Sequence, residues 1–322
     1  MRLRIEWLPI EVRIAATMLA LMLLLSAHYG MPIVFPSGGS ARFVGIHYVY
    51  PLIGVALLGG GLALFGHRRV ASQYLLAFPC YTVVLFAHFN MKLWVPHINP
   101  LHFDAFYWRM DMAARPLVDL CFWLRESMLW LIPYDANFYM ISFIGLFYCS
   151  FLYHALRTPD HFGKLVVAVL LFQSFGAFAY LIAPAVGPFL YEPGINPLVT
   201  ENQRAMLAFY QHSVTGGPDW IARHGGEGFT AGLAAMPSLH AGGAFLFLLF
   251  AWRHGRLLVP PYALLFLFIV VAAVASRWHY LIDIPAGILL AWISFAVAAK
   301  VVPIRKDQLS EDAPLAGQAA TA

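Results

Sequence analysis

The sequence predicts an all-α integral membrane protein, a helical bundle of about eight transmembrane spans. Three observations carry that expectation. Hydrophobic residues make up 61% of the 322-residue chain and charged residues 11%, where a soluble domain holds roughly 25% charged residues. Apolar runs near the ~20 residues that a bilayer requires recur along the chain. Basic residues gather at alternate junctions between those runs, as the positive-inside rule demands of a multi-spanning protein.

In chain order, the first span covers about Val12 to His28. It follows the basic start MRLRIEW and has no small-residue cleavage site behind it, so it reads as an uncleaved span. The second covers about Tyr48 to Phe65, the third Ala71 to Phe89, the fourth Phe138 to Leu156 and the fifth Leu165 to Ile182. The sixth starts at Leu239 and stops before Arg253; it is short and Gly-rich at its start, which suits a helix beginning inside protein rather than lipid. The seventh covers Leu257 to Ala275 and the eighth Ile284 to Val301. Arg2, Arg4 and Arg13, then His67, Arg68 and Arg69, then Arg157 and Lys164, then Arg253 and Arg256, and last Lys300, Arg305 and Lys306 all fall on one side of such a bundle. That side is the cytoplasmic one, with both termini on it, in a membrane of the bacterial inner (plasma) type.

The opposite, periplasmic or extracellular, side carries three connections. Asn90 to Asn137 contains the amphipathic stretch FDAFYWRMDMAARPLVDLCFWLRE, the pattern of a helix lying in the membrane interface, and Lys92 beside Trp94 reads as an aromatic-belt anchor. Ala183 to Ser238 is Gly- and Pro-rich and too long for a bare link, so it reads as a lid or part of a site. The third is ASRWHYLIDIPAG, Ala275 to Gly287. The expected organisation is therefore N-terminal spans over 1–90, a catalytic membrane core over 91–302 and a disordered polar tail over 303–322.

Composition also excludes. The net charge of +4, from 20 basic and 16 acidic residues, is dispersed, without the basic and aromatic interleaving of a nucleic-acid binder. Cys80, Cys121 and Cys149 are far apart and odd in number, so they form neither a disulfide framework nor a thiolate metal site.

The chemistry-bearing residues lie on the outer side. His240 enters the sixth span behind Pro237 and Ser238, while Arg277, His279 and Asp283 sit between the seventh and eighth. His279 and Asp283 are four apart and share a helix face. A neutral imidazole becomes a nucleophile when a carboxylate fixes its tautomer through the other nitrogen. A second histidine protonates the leaving oxygen, and arginines with backbone N–H groups hold the remaining phosphoryl oxygens. Such a set performs phosphoryl transfer without a metal or other cofactor. A different class of function, a transporter or proton-coupled carrier using the His/Asp cluster, is the alternative.

PSLH at Pro237 to His240 and SRWHYLIDIPAG at Ser276 to Gly287 resemble the type 2 phosphatidic acid phosphatase superfamily. Within it, the His-Tyr-x-x-Asp wording at His279 to Asp283 and the phrase YLIAPAVGPFLY at Tyr180 to Tyr191 resemble the inositol phosphorylceramide synthase and sphingomyelin synthase branch. The resemblance covers roughly Asp104 to Gly287 and implies a six-span phosphatase-like catalytic core. It implies His279 as nucleophile, Asp283 as its orienting carboxylate and His240 as leaving-group acid, with Ser238, Arg277, Arg115 and Arg109 contacting the substrate phosphate. Arg115-Pro116 stands where that superfamily places an Arg-Pro, and Leu239 stands where it has Gly. The implied activity is cleavage of a phospholipid, sphingolipid or polyprenyl-type phosphate through a phosphohistidine. Transfer to an alcohol is favoured slightly over hydrolysis.

Overall fold

A computed structural model describes residues 8–66, 68–231 and 235–302. The tail expected to be disordered, with Arg305 and Lys306, and the basic residues Arg2, Arg4 and His67 lie outside the described residues. Among the described residues the chain is helical with no strand. The helices are α1 Ile10–Tyr29, α2 Gly38–Val44, α3 Tyr50–Leu64, α4 Arg68–Leu93, α5 Val95–Ile98, α6 Asp104–Ala113 and α7 Arg115–Ser127. They continue with α8 Phe138–Arg157, α9 Pro159–Ile182, α10 Pro197–His224, α11 Leu239–His254, α12 Val259–Ala275 and α13 Asp283–Val301.

Local sequence explains most boundaries. Ser238 caps α11 by accepting a hydrogen bond from the Ala241 N–H at 3.4 Å, and Asn196 caps α10 by accepting one from Leu198 N–H at 3.1 Å. Pro159 and Pro197 occupy first-turn positions of α9 and α10, where their missing N–H costs nothing. Gly30 ends α1 in the left-handed conformation at φ 64°. In α10, Gly217 breaks the helical geometry just ahead of Pro218 and kinks the element.

Six helices, α1, α4, α8, α9, α12 and α13, contain segments long and apolar enough to cross a membrane. Two of the runs expected as spans fall outside that set of six. The run expected over Tyr48 to Phe65 is α3, of 15 residues, which continues α2 through a π-helical turn at Gly45–Val49. The run from Leu239 is α11, of 16 residues, about 24 Å of helix against a hydrocarbon core of about 30 Å. As its Gly-rich start suggested, α11 begins inside protein: Ala241, Gly242, Gly243 and Ala244 are all buried.

The bundle is organised around α9, which packs against α1, α4, α8, α11 and α13. The single residue Thr158 joins α8 to α9, and residues 255–258 join α11 to α12, so these pairs run antiparallel. The outward faces keep large apolar side chains exposed, among them Leu24, Leu57, Leu264, Leu289 and Trp292. Such a surface suits lipid, where apolar exposure carries no cost. The amphipathic stretch expected to lie in the interface forms α6 and α7, and α7 packs on α12. Val118, Cys121 and Arg125 line its buried face, while Leu117, Leu120 and Trp123 face outward.

Candidate active site

The two polar stretches meet because α11 and α13 approach at glycine. A Cβ on Gly242 would stand 2.5 Å from the Gly287 carbonyl oxygen, and one on Gly287 would strike the Ser238 carbonyl. With both side chains absent, the start of α11 lies directly on the start of α13. The Ser238 N–H donates to the Asp283 carbonyl oxygen at 3.0 Å, tying one stretch to the other.

His279 is buried, and its Nδ1 lies 2.8 Å from the Ala235 carbonyl oxygen and 3.3 Å from Asp283 Oδ2. A carbonyl only accepts, so Nδ1 carries the proton. In the neutral ring the lone pair is then on Nε2, which has no hydrogen-bond partner among the described residues. The expected orienting carboxylate is thus joined by a carbonyl that stands closer to the ring. Asp283 Oδ2 makes its shorter bond, 2.8 Å, with the Tyr280 N–H, while Oδ1 is buried without a partner. Nothing in the sequence marks Ala235, because any residue supplies a carbonyl.

His240 sits edge-on between two rings of α8, with centroids 5.3 Å away at Tyr139 and 4.7 Å at Phe143. Its nitrogens have no hydrogen bond among the described residues. His240 and His279 border one cavity of about 400 Å³. Tyr48, Tyr81, Phe89, Phe143 and Phe268 give that cavity apolar walls, while Gln173, Asn137 and Asn196 add neutral polar groups.

The expected phosphate ligands are placed elsewhere. Arg277 is fully buried, its Nη1 donates to Asp111 Oδ2 at 2.9 Å, and its Nη2 stands 3.4 Å from Glu192. Its guanidinium also lies 5.2 Å from the Trp108 ring centroid. Arg115 bonds Asp119 at 2.7 Å and Glu192 at 2.9 Å, and the Glu192 carboxylate holds its pKa above the ordinary value. Arg109 is exposed. None of the three borders the cavity, and Ser238 is buried in its capping role. His224, close in sequence to the site, is exposed and lies against Trp220.

What Arg277 and its neighbours do is hold the loop that carries His279. Asp111 accepts from the Leu281 N–H through its other oxygen, at 2.8 Å. Burial pushes the Asp111 carboxyl above the usual range, against the opposing pull of the Leu281 N–H and Arg277. Seven residues earlier on the same face of α6, buried Asp104 accepts from Tyr280 Oη at 2.8 Å and from the N–H groups of Val186 and Gly187 at 3.0 and 2.9 Å. Burial raises the Tyr280 phenol pKa well above its ordinary value, so the phenol stays a donor to Asp104. The phrase YLIAPAVGPFLY therefore frames the loop from below: Phe189 N–H donates to the Arg277 carbonyl and Ala235 N–H to the Ala185 carbonyl.

Arg277 has φ 58°, a left-handed conformation costing a non-glycine residue about 1–3 kcal/mol. Its side-chain pair with Asp111 and its backbone bond to Phe189 hold it there.

Two cations do border the cavity. Lys92, read from sequence as a belt anchor, points from α4 to within 5.3 Å of the Tyr180 ring centroid. Arg125, which sequence reasoning missed, projects from α7 between the rings of Tyr134 and Phe268, at 4.9 and 5.8 Å. Among the described residues, no group of three or more His, Cys, Asp or Glu is arranged to hold a metal ion.

Comparison with known proteins adds one finding. A family profile described as the PAP2 superfamily matches residues 120–297, just over half of the chain. No curated protein and no solved structure matched it.

Proposed function

Because the chain belongs to the PAP2 superfamily, whose membership supports a phosphatase-type lipid phosphoesterase in a membrane, we propose that His279 is its nucleophile and that the reaction passes through a phosphohistidine. The observation that carries this reading is the pair of oxygens on Nδ1, the Ala235 carbonyl at 2.8 Å and Asp283 Oδ2 at 3.3 Å, which favour the tautomer with its proton on Nδ1. Nε2 attacks phosphorus, and the bond from phosphorus to the lipid or head-group oxygen breaks. His240, in its protonated form, gives the departing oxygen its proton. An alcohol or water then attacks the phosphohistidine, His240 takes that proton back, and Nε2 is released.

Transfer to an alcohol, as in the inositol phosphorylceramide and sphingomyelin synthase branch, is favoured over hydrolysis. The aromatic walls of the cavity support this, because they suit an apolar acceptor and limit water. The substrate is a phospholipid, sphingolipid or polyprenyl-type phosphate. The site opens on the outer leaflet, with Arg13, Arg157, Lys164, Arg253, Arg256 and Lys300 toward the cytoplasm. Contact of Arg277, Arg115 or Arg109 with phosphate has no support from the geometry; Ser238 and Arg277 instead position the two histidines.

The test uses purified protein in detergent with labelled phospholipid, in EDTA, with ceramide, diacylglycerol or a polyol as acceptor. Turnover is expected to persist in EDTA and to fall at least 10³-fold in His279→Ala, the scale expected when a nucleophile is removed. Rapid acid-free quenching is expected to trap an acid-labile, base-stable phosphoprotein that His279→Ala lacks. Near-normal turnover in His279→Ala, or strict dependence on a divalent ion, refutes the scheme.

A further inference from the structure

The charges around the cavity do not balance. Lys92 and Arg125 border it, and no Asp or Glu among the described residues does. Elsewhere near the site the arginines are neutralised: Arg277 by Asp111 and Glu192, Arg115 by Glu192 and Asp119. Arg125 is only 7% exposed, its side chain makes no hydrogen bond or ion pair among the described residues, and its Nη1 is buried without a partner. Lys92 has no ion pair there either; its ammonium lies 5.3 Å from the Tyr180 ring centroid. A guanidinium held among aromatic rings in an apolar wall is costly to a folded protein unless a counter-ion joins it. Ring faces recover only part of that cost.

We infer that Lys92 and Arg125 are the residues that bind the anionic oxygens of the substrate's phosphate group beside His240 and His279. The assignment takes its ligand class from the lipid phosphoester reading, but its evidence is the unbalanced charge itself. It also gives the N-terminal helices a part in the site. Lys92 belongs to α4, ahead of the residues that match the family profile. Phe43, Tyr48 and Tyr81, also ahead of that match, line the same cavity. Two cations from separate helices suit a phosphate, whose oxygens diverge, and guanidinium takes two of them at once.

The full chain in detergent is titrated with phosphatidic acid, with diacylglycerol of the same acyl chains, and with inorganic phosphate, while its thermal stability is followed. The parent protein and His279→Ala are both used, the latter to read binding without turnover. Phosphatidic acid is expected to stabilise both, and diacylglycerol neither. Lys92→Met and Arg125→Met are each expected to weaken phosphatidic acid binding at least tenfold, with most of it restored in Lys92→Arg and Arg125→Lys. Without ligand, the two Met variants are expected to melt no lower than the parent, because each loses an uncompensated charge; this separates a binding role from a structural one.

Inorganic phosphate stabilising as strongly as phosphatidic acid, with the same dependence on Lys92 and Arg125, supports the anion pair with free phosphate as its ligand. Unchanged phosphatidic acid affinity in monodisperse Met variants overturns the inference, as does a parent protein with no preference for phosphatidic acid over diacylglycerol. Turnover with Lys92 and Arg125 irrelevant to binding leaves the enzyme reading standing alone. Binding that needs both cations, with no turnover of any lipid phosphate, leaves the anion site standing alone.

Discussion

Replacing Gly242 by Ala tests whether the contact between α11 and α13 sets the active geometry. The new Cβ would lie 2.5 Å from the Gly287 carbonyl oxygen and 2.8 Å from both its carbonyl carbon and Phe172 Cζ. Ordinary carbon contacts begin near about 3.5 Å, so α11 must move off α13 by about 1 Å. The obstacle is backbone on one side and a buried ring on the other, so relaxation is limited. Overpacking of this kind costs about 1–3 kcal/mol, against which Ala gains about 1 kcal/mol over Gly in helix propensity. The displacement carries His240 relative to His279, and about 1 Å of misplacement lowers turnover about 10²-fold.

The control is Gly145→Ala on α8, where nothing lies within 4 Å of the new Cβ. It isolates the propensity gain, and the protein is expected to melt at the parent temperature or slightly above, with unchanged turnover. Lipid phosphate turnover and thermal unfolding of the two variants in the same detergent give the comparison. Gly242→Ala with the turnover and stability of Gly145→Ala would refute the claim that this contact sets the distance between the histidines.

Two further substitutions probe the frame beneath His279. Asp111→Asn leaves the buried Arg277 with only Glu192, 3.4 Å from its Nη2, as a charged partner, and is expected to cost about 3 kcal/mol, the low end for breaking a buried pair, read as a fall in unfolding temperature. An unchanged unfolding temperature would remove the structural role given to that pair. Tyr280→Phe deletes the 2.8 Å bond to Asp104, a contribution of about 1.5 kcal/mol because two backbone N–H groups still satisfy the carboxylate. Its expected signature is a lower kcat at unchanged KM, since the loop moves His279, the proposed nucleophile, without touching the ligand; a raised KM alone would contradict it.

Local chemistry made much of the molecule legible. Long apolar runs mark helices because a backbone in lipid must satisfy its own hydrogen bonds. Ser238, Pro159 and Gly30 mark helix ends for equally local reasons. His240, His279 and Asp283 stood out because ionisable groups at the ends of such runs are costly. Apolarity alone does not tell burial from lipid exposure: α11 is apolar and largely buried among other helices, and a buried helix need not match the bilayer in length.

Charge partners were not legible, because a guanidinium looks the same in sequence whether it faces a ligand or a carboxylate. Arg277 beside His279 invited a phosphate role, yet Asp111, 166 positions away, claims it. Arg125 drew no notice within an amphipathic run, and its place beside the cavity appears only once α7 packs on α12 and no acid among the described residues lines the space before it. The Ala235 carbonyl is similarly silent in sequence, being common to every residue.

Sequence by itself determined the membrane class and the helices, and it singled out two histidines and an aspartate as candidates, since each follows from composition or motif along the chain. Only the tertiary structure decided which nitrogen of His279 bears the proton, which cations face the cavity and which are neutralised. Those depend on what lies within about 3 Å across helices, and hydrogen bonds and ion pairs fall away over such distances far faster than any pattern along a chain records.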